Sequence, residues 1–485
     1  MATRRIGIVG AGVGGIAAAV RLREAGYDDV VVLEKSGEVG GTWNHNRYPG
    51  LQCDVQSHLY SFSFEPIWPW SRPYGNGPEI RAYMNHVVDA YGLRPIIRFD
   101  TPVEAAVWDA DRAVWTVTGA GETFEFDVLV ASPGMFNEFN WPTIDGRDDF
   151  TGASFHSARW DWDVDLTGRR VGVIGSAASA VQFVPEVAKV AGHLTVFQRA
   201  ANWVLPKDDT PYTAEELEHW RTHPDEVLER RRTLFEQADP NLTFSNPKAL
   251  ALHDQNLAAA LAQVVDPETR RKLTPVVPYG CQRPLFSNHY FPTFNLPHVE
   301  LVTDPIERIT PAGVRTADGT ERDFDVLVYA TGFQTTKYLS VIDVTGRDGV
   351  RLDDAWADGA HAFKGVTTAG FPNLFMLYGP NTNNGSIIYM LEAQVDYVVA
   401  HLAWMDADGL EWIDVRPEAE AAYNAEIDEL LARVAPWQAG TCTNYYRGPA
   451  GRIVTQWPGA MSEYRRRTEE SDAGAYETVP FRAPA

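Results

Sequence analysis

The chain has 485 residues, of which 45% are apolar and 12% aromatic, so we expect two or three domains with substantial cores. Its 42 basic and 65 acidic side chains give a net charge of −23. An acidic surface of this kind repels nucleic acid and anionic membranes, so neither is an expected partner.

The three cysteines, Cys53, Cys281 and Cys442, are few and far apart along the chain. They predict neither a disulfide framework nor a metal site, and the lack of a Cys-x-x-Cys pair excludes disulfide reductase chemistry. A core strand already begins at residue 5, so no signal peptide is expected, and no apolar run reaches the roughly 18 residues of a membrane span. We therefore expect a soluble, cytoplasmic protein.

The N-terminal part has the pattern of a dinucleotide-binding βαβ unit. An apolar run at residues 5–9 leads into a loop with Gly10, Gly12 and Gly15, and a helical pattern follows. These glycines allow a tight turn, a close approach of the backbone to a pyrophosphate, and close packing of helix on strand. The second strand ends at Glu34, whose carboxylate can accept hydrogen bonds from ribose hydroxyls. A lone glycine-rich loop would be a weak signal, but here all the elements occur in order.

A loop at residues 40–64 follows, and glycines, a proline turn and aromatic residues are concentrated in it. This composition suits a loop that wraps a flat ring system. A surface loop rich in turn residues is the alternative. The sequence alone leaves both interpretations open for this stretch.

A second unit of the same kind begins at the apolar run of residues 171–174, which opens into Gly175. Arg199 lies 24 residues after Gly175, the same separation as between Gly10 and Glu34. An acid at this place favours an unphosphorylated ribose, whereas an arginine favours a 2′-phosphate. We therefore expect FAD in the first unit and NADPH in the second.

Two features weaken the second unit. Ala177 stands where the middle glycine of the phosphate loop is expected, and its methyl group crowds the approach of backbone to pyrophosphate. Pro185 lies within the following helical pattern and is expected to kink that helix. A displaced or more weakly bound nucleotide is the predicted consequence.

The remaining segments give coarser predictions. Residues 207–278 contain helical stretches and no strand pattern, which predicts a helical insertion that shapes a substrate cavity. Short strands at residues 103–108, 113–118 and 126–131 predict a β-meander. The residues from Arg465 to the end of the sequence are polar and are expected to be loosely ordered.

Residues 150–161 satisfy the pattern F-x-G-x-x-x-H-x-x-x-W-D through Phe150, Gly152, His156, Trp160 and Asp161. In this the chain resembles the type I Baeyer–Villiger monooxygenases, flavoenzymes that insert one oxygen atom of O2 beside a ketone carbonyl. The related N-oxygenating flavoproteins resemble the pattern but usually have Tyr or Phe in place of its tryptophan. Without the resemblance, His156 and Trp160 are typical of ordinary core residues, and within it we assign them to domain coupling rather than to chemistry.

Further stretches carry the same resemblance. The loop at residues 40–64 is similar to the flavin-proximal loop of the family, which implies that Asp54 lies at the active site. Gly280-Cys281-Gln282-Arg283 resembles the family's Gly-Cys-Lys-Arg, whose arginine acts in oxygen insertion, whereas the lysine that helps to hold the 2′-phosphate is Gln282 here. Without the family, Arg283 would be interpreted as a surface cation or a structural ion pair. Residues 442–446 and 452–458 resemble the end of the acetophenone-type members.

The resemblance implies an FAD-dependent, NADPH-consuming Baeyer–Villiger monooxygenase that forms an ester or lactone from a ketone and O2 through a flavin peroxide. Its catalytic residues would be Arg283 and Asp54. The alternatives are a flavin N- or S-oxygenase, a flavin dehydrogenase without oxygen insertion, or a nucleotide-binding protein without turnover. Ala177 and Gln282 favour the last two.

The expected fold is α/β, with two Rossmann-like dinucleotide-binding domains, for FAD and NADP, and a helical insertion in the second. The expected boundaries are an FAD-binding domain at 1–143, an NADP-binding domain at 150–206 and 279–331, the insertion at 207–278, and an FAD-domain return with a C-terminal tail at 332–485. The residues expected to bind FAD are Gly10, Gly12, Val13, Gly15, Glu34, Lys35, Gly41, Thr42, Trp43, Asp54, Tyr60 and Val103. The residues expected to bind NADPH are Gly175, Ser176, Ser179, Ala180, Arg199 and Gln282.

Overall fold

The computed structural model describes residues 4–339 and 341–481. The elements of the N-terminal part are β1 (Ile6–Val9), α1 (Val13–Glu24), β2 (Val30–Leu33), α2 (Thr42–His45), α3 (Gly77–Ala90), β3 (Ile97–Arg98), β4 (Val103–Asp109), β5 (Val114–Gly119), β6 (Glu122–Phe126) and β7 (Val128–Ala131).

The middle part begins with a strand that follows the N-terminal part. Its elements are β8 (Ala153–His156), β9 (Arg170–Ile174), α4 (Ala178–Ala188), β10 (His193–Phe197), β11 (Val204–Leu205), α5 (Ala214–Thr222), α6 (Pro224–Ala238), α7 (Pro247–Leu261), α8 (Pro267–Leu273), β12 (Leu285–Phe286), α9 (Tyr290–Thr293), β13 (Val299–Val302), β14 (Ile306–Thr310), β15 (Gly313–Thr316), β16 (Glu321–Asp323) and β17 (Val326–Tyr329).

The C-terminal part returns to the first sheet. Its elements are β18 (Asp343–Thr345), α10 (Leu352–Ala355), β19 (Leu374–Met376), α11 (Ile387–Ala407), β20 (Leu410–Val415), α12 (Pro417–Ala432), α13 (Ala435–Gln438), α14 (Met461–Glu469) and β21 (Tyr476–Pro480).

Two five-stranded parallel sheets organise the fold. The first has the order β19-β7-β1-β2-β3 and the second the order β13-β10-β9-β17-β8. The central strands β1, β7 and β17 are buried at every position, as is typical of parallel strands covered on both faces. The residues that follow β1 and β9 therefore lie at the carboxyl edges of the two sheets, where α/β proteins bind ligands.

Residues 207–278 lie between β11 and β12 and form α5 to α8 without a strand. Thr213 and Glu216 form a reciprocal capping box at the start of α5. Pro224 occupies the first turn of α6, where its missing N–H costs no helical hydrogen bond. Pro185 lies inside α4, which continues through it to Ala188.

The predicted meander is wrong in its last strand. β4, β5 and β6 form an antiparallel sheet with β18 at one edge. β6 ends at Phe126, and a bend at Asp127 separates it from β7. β7 then pairs in parallel with β1 and β19 in the first large sheet. The physical reason is burial: all four residues from Val128 to Ala131 are buried, which suits a central parallel strand better than a half-exposed meander.

The expectation of a loosely ordered C-terminus is wrong for the residues that the structure describes. α14 packs on α11, and β21 pairs antiparallel with β20. The buried Tyr476 anchors this strand, and its hydroxyl lies 2.6 Å from the hydroxyl of Tyr397. The C-terminal segment is polar in composition, so its sequence did not reveal the few contacts that order it. Residues 482–485 lie outside the described residues.

The cysteines also differ from expectation, because Cys281 and Cys442 form a disulfide with a Cα–Cα distance of 5.6 Å. They are 161 residues apart in sequence, and only the fold brings them together. Cys53 is a buried free thiol. No helix among the described residues is long and apolar enough to cross a membrane.

Candidate active site

The first glycine-rich turn leaves the start of α1 open to a ligand. No described side chain caps this helix, and its first turn contains no acidic residue, so its N–H groups are available to an anion. A Cβ on Gly41 would lie 2.9 Å from the Cα of Gly12, so a side chain there would close the space beside the turn. A Cβ on Gly15 would lie 1.8 Å from the carbonyl oxygen of Gly10. This turn therefore fits a pyrophosphate.

Glu34 is buried at the end of β2 and braces the same turn. One carboxylate oxygen accepts a hydrogen bond from the N–H of Ala11 at 2.7 Å, and the other accepts from the N–H of Ser36 at 2.8 Å. Each oxygen keeps a second lone pair, with which it can accept from a ribose hydroxyl. The acid thus can accept from the ribose of a dinucleotide and also holds the turn.

The other residues expected at FAD come from several elements of the N-terminal part. Lys35 donates to Asn137 at 2.8 Å, and burial lowers its pKa. Trp43, on α2 beside Gly41 and Thr42, donates its indole N–H to the hydroxyl of Tyr60 at 3.0 Å. Val103 opens β4 and packs against the cluster that contains Val9 and Leu33. Most of these residues lie at the carboxyl end of the first sheet.

The second turn, after β9, has the same open helix start. α4 has no side-chain cap among the described residues and no acid in its first turn. The N-cap is the exposed Ala177, and the buried Ser176 donates to the carbonyl of Ala200 at 3.4 Å. Ala180 is buried at the place corresponding to Gly15. Ser179, between Ala177 and Ala180, is half-buried. The turn fits a second phosphate group, with a methyl group at its centre.

Two residues expected at the 2′-phosphate differ in their surroundings. Arg199 is exposed, and in the described part of the chain its side chain has no hydrogen-bond or ion-pair partner. Gln282 instead donates its amide to the carbonyl of Thr443 at 2.9 Å, within the C-terminal part. The structure therefore leaves Arg199 free for an anion, whereas Gln282 is used in a protein contact.

The sequence motif at residues 150–161 lies where the two folds meet. His156 stacks on Phe139 with ring centroids 4.6 Å apart. It also contacts Phe333, in the segment between β17 and β18 where the chain returns to the first fold. Burial lowers the pKa of His156 to about 4, so its ring is neutral and accepts the N–H of Ala158. Trp160 packs edge-on against Phe155 of β8. These are packing contacts between elements.

Asp54 and Arg283 come from different folds and form a bidentate ion pair. The Nε and Nη2 atoms of Arg283 donate to the two carboxylate oxygens of Asp54, each at 2.7 Å. Asp54 lies within the loop at residues 40–64 of the first fold, and Arg283 precedes β12 of the second. The side chain of Arg283 is 39% exposed and that of Asp54 26%, so the pair keeps accessible surface. The sequence-predicted catalytic residues are thus in direct contact.

The charges of this pair support each other. Burial alone would raise the pKa of Asp54, but the charge and hydrogen bonds of Arg283 outweigh it and leave that pKa below its usual value. The charge of Asp54 raises the pKa of Arg283 above its already high value. Both groups are therefore ionised across the physiological pH range.

Sequence reasoning missed the residues that tie the loop of the first fold to the second. Gln52, two residues before Asp54, contacts Gln182, Lys207 and Asp209. Sequence reasoning also missed the disulfide next to Arg283. Polar residues at unrelated positions carry no pattern that would reveal such contacts.

Two strand–turn–helix units lie at the carboxyl edges of two parallel sheets, with an acid after the second strand of one unit and an arginine after the second strand of the other. This arrangement defines a two-dinucleotide oxidoreductase. The profile of the pyridine nucleotide-disulphide oxidoreductase family matches residues 7–238. A Baeyer–Villiger monooxygenase of Streptomyces coelicolor is 40% identical over 98% of this chain and 92% of its own. A phenazine N-monooxygenase of Lysobacter antibioticus is 32% identical over 97% of this chain and 95% of its own.

Among solved structures, OTEMO in complex with FAD and NADP superposes with a TM-score of 0.88 at 30% identity, covering 98% of this chain and 99% of that one. The chain belongs to the Baeyer–Villiger monooxygenase family. It is a flavin-dependent monooxygenase whose cofactors are FAD and NADP(H).

Proposed function

We propose that the enzyme converts a ketone, NADPH, a proton and O2 into an ester or lactone, NADP+ and water, and that Arg283 and Asp54 are its catalytic pair. The observation that carries this proposal is the bidentate contact between the two side chains, each at 2.7 Å, across the boundary of the two folds. It supports a role for Arg283 that needs a permanent cation in a fixed orientation.

The guanidinium is oriented so that part of it stays available. Asp54 engages Nε and Nη2 of Arg283, and Nη1 has no acceptor among the described residues. Nη1 is thus the donor left for an oxygen atom that becomes anionic during oxygen transfer. Because the pKa of Arg283 is raised by Asp54, the donor stays charged without a proton having to move.

FAD, reduced by NADPH, supplies the activation of O2. On this proposal the N-terminus of α1 and Glu34 hold the pyrophosphate and ribose of FAD, and Lys35 lies near the same ribose. The N-terminus of α4 holds the NADPH pyrophosphate, and Arg199 binds the 2′-phosphate. Gln282 does not replace the lysine of related sequences, because its amide is already engaged by Thr443.

The proposed domain boundaries follow the two folds. Residues 1–143 and 332–485 contribute to the sheet beside FAD, and residues 150–206 and 279–331 to the sheet beside NADPH. Residues 207–278, which form α5 to α8, are proposed to line part of the ketone cavity.

The direct test is Arg283→Ala. Without the guanidinium we expect FAD content and the rate of flavin reduction by NADPH to remain, while ester formation falls by about 100-fold or more, the usual effect of removing one donor to an anionic oxygen. Flavin absorbance in stopped flow and ester quantification by gas chromatography measure the two quantities separately. Arg112→Ala is the matched control, since Arg112 is an exposed arginine between β4 and β5, outside residues 207–278, and is paired with Glu125.

An unchanged ester yield in Arg283→Ala would remove Arg283 from the mechanism. A loss of flavin reduction in the same variant would assign the residue to cofactor binding instead. Ester that contains an oxygen atom from isotopically labelled O2 would exclude a dehydrogenase.

A second candidate function is N-oxygenation of a heteroaromatic amine. The similarity to the phenazine N-monooxygenase favours it. A panel that pairs aliphatic and aryl ketones with nitrogen heterocycles, analysed by mass spectrometry for esters and N-oxides, distinguishes the two. Predominant N-oxide formation would overturn the ketone proposal.

A further inference from the structure

Gln52 lies in the first fold, but its side chain is used largely by the second. Its amide oxygen accepts a hydrogen bond from the ammonium group of Lys207, and its amide nitrogen donates to Asp209 at 2.7 Å. The same nitrogen donates to the carbonyl of Tyr74 at 2.9 Å. Every polar atom of this amide is therefore engaged.

The backbone of Gln52 is held as well, by a residue of α4. Gln182 donates its amide nitrogen to the carbonyl of Gln52 at 2.8 Å, and its amide oxygen accepts the N–H of Gln52 at 3.3 Å. We call the four residues Gln52, Gln182, Lys207 and Asp209 the interdomain clasp. They join the loop of the first fold to the second fold beside its nucleotide turn.

Lys207 is itself fixed in place. Asn288 accepts the N–H of Lys207 at 3.0 Å and donates to its carbonyl at 2.8 Å. The ammonium group lies 4.7 Å from the ring centroid of Tyr74. Burial lowers the pKa of Lys207, while the carboxylates of Asp209 and Asp54 act in the opposite direction. Lys207 is thus a second cation whose charge acts on Asp54.

The two cations come from opposite ends of one small β-ribbon. β11 and β12 pair in parallel, with Lys207 two residues after β11 and Arg283 two residues before β12. Lys207 contacts Gln52, and Arg283 contacts Asp54, so one ribbon holds the loop at two points. Those points are at most about 7 Å apart along the chain. A loop held at two points cannot rotate about a single ion pair.

We propose that Gln52 is a positioning residue: through Lys207 and Asp209 it fixes the orientation of Asp54 and thereby of Arg283 while oxygen is transferred. This inference rests on the proposed function, because it takes Asp54 and Arg283 as the catalytic pair. Loss of the clasp leaves the ion pair intact but free to reorient. The expected consequence is that NADPH is oxidised without a matching yield of ester.

The first test is Gln52→Met in the FAD-loaded enzyme. Methionine has a similar length but no polar atom that can pair with Lys207 and Asp209, while the main-chain bonds to Gln182 remain. The variant loses all three hydrogen bonds of the Gln52 side chain. We expect the ester formed per NADPH oxidised to fall at least about five-fold, the factor typical of a single lost hydrogen bond. The rate of flavin reduction should stay within about two-fold of wild type.

The rescue test exchanges the polarity of the contact. Gln52→Glu places a carboxylate against Asp209 and should lower the ester yield as much as Gln52→Met. Adding Asp209→Asn gives that carboxylate a donor and keeps the contact with Lys207, so we expect the double variant to regain most of the wild-type yield. Asp209→Asn alone measures the loss of the contact between Asp209 and Arg72, which lie 3.5 Å apart.

A readout independent of activity is hydrogen exchange at residues 48–56 and 203–210. We expect faster exchange there in Gln52→Met, with or without cofactor, and wild-type exchange in the double variant. A merely structural role would lower the melting temperature without changing ester per NADPH, and this result would overturn the proposal. So would a double variant that is no better than Gln52→Glu alone.

The outcome is separable from that of the proposed function. If Arg283→Ala abolishes ester formation and Gln52→Met keeps the wild-type yield, only the clasp proposal fails. If Arg283→Ala keeps full ester yield, the proposed catalytic pair fails, whatever Gln52→Met shows.

Discussion

The two dinucleotide folds share one topology but differ in how far their binding turns are preformed by contacts within the protein. In the first, Glu34 is buried and already bonded to the turn, and Gly15 leaves no room for a methyl group. In the second, Ala180 carries a buried methyl at the corresponding place, and Arg199 is exposed without a described partner. A preformed site suits a cofactor that stays bound, and a free charged residue suits one that enters and leaves. The predictions below test this difference.

The largest expected effect comes from Gly15→Ala. The added Cβ would lie 1.8 Å from the carbonyl oxygen of Gly10, so α1 would have to move away from β1. We expect a loss of about 3 kcal/mol or more in the free energy of unfolding, together with loss of FAD. Flavin content after purification and thermal unfolding measure both effects.

The matched change in the second fold is Ala180→Gly. It removes a buried methyl group from α4 and should cost only about 1–2 kcal/mol, with FAD retained. Equal flavin loss in both variants would mean that the two turns are equivalent, contrary to the comparison.

The second effect concerns how each fold is fastened near the catalytic pair. The segment before Arg283 is linked to the C-terminal part by the disulfide between Cys281 and Cys442, whereas the loop that contains Asp54 is held by hydrogen bonds. Replacing both bonded cysteines by serine should lower the free energy of unfolding by about 2–4 kcal/mol. A thiol reductant should lower the melting temperature of the wild type and not that of the double variant.

Peptide mapping of the unreduced protein supplies the chemical control, since it should recover the cross-linked pair with Cys53 as a free thiol. If a thiol reductant left the melting temperature of the wild type unchanged, this result would contradict the disulfide between Cys281 and Cys442.

The third prediction is Arg199→Ala. If Arg199 binds the 2′-phosphate, the variant loses a charge-assisted contact, and KM for NADPH should rise about 10- to 100-fold with KM for NADH unchanged. Steady-state kinetics with both nicotinamides measure this, and Arg199→Lys should keep part of the preference. A parallel change in both constants would place Arg199 outside the phosphate site.

The smallest effect is expected from Ala177→Gly. Removing the methyl group from the centre of the second turn lets the backbone approach the pyrophosphate, so NADPH affinity should improve by about two- to three-fold. A titration that follows the flavin spectrum measures the change. Weaker binding would mean that the methyl group does not crowd the nucleotide.

The catalytic pair shows how far sequence patterns reach. Asp54 and Arg283 were recognisable because each lies in a short motif that resembles those of a known family. Gln52 lies two residues before Asp54, and Lys207 lies at the start of the segment 207–278, yet no motif marks either residue. Their role depends on a contact between residues 155 positions apart, which local patterns do not encode.

Sequence by itself determined the two parallel folds, since each strand, glycine turn and helix is specified by neighbouring residues and by local hydrophobic periodicity. It also determined the acid at one turn and the arginine at the other, because each lies within two residues of the end of a strand. Only the tertiary structure decided that β7 joins the first sheet, that Tyr476 orders the C-terminus, and that Cys281 meets Cys442. These features are contacts between distant segments, and their free energy comes from burial and pairing that exist only once the chain has folded.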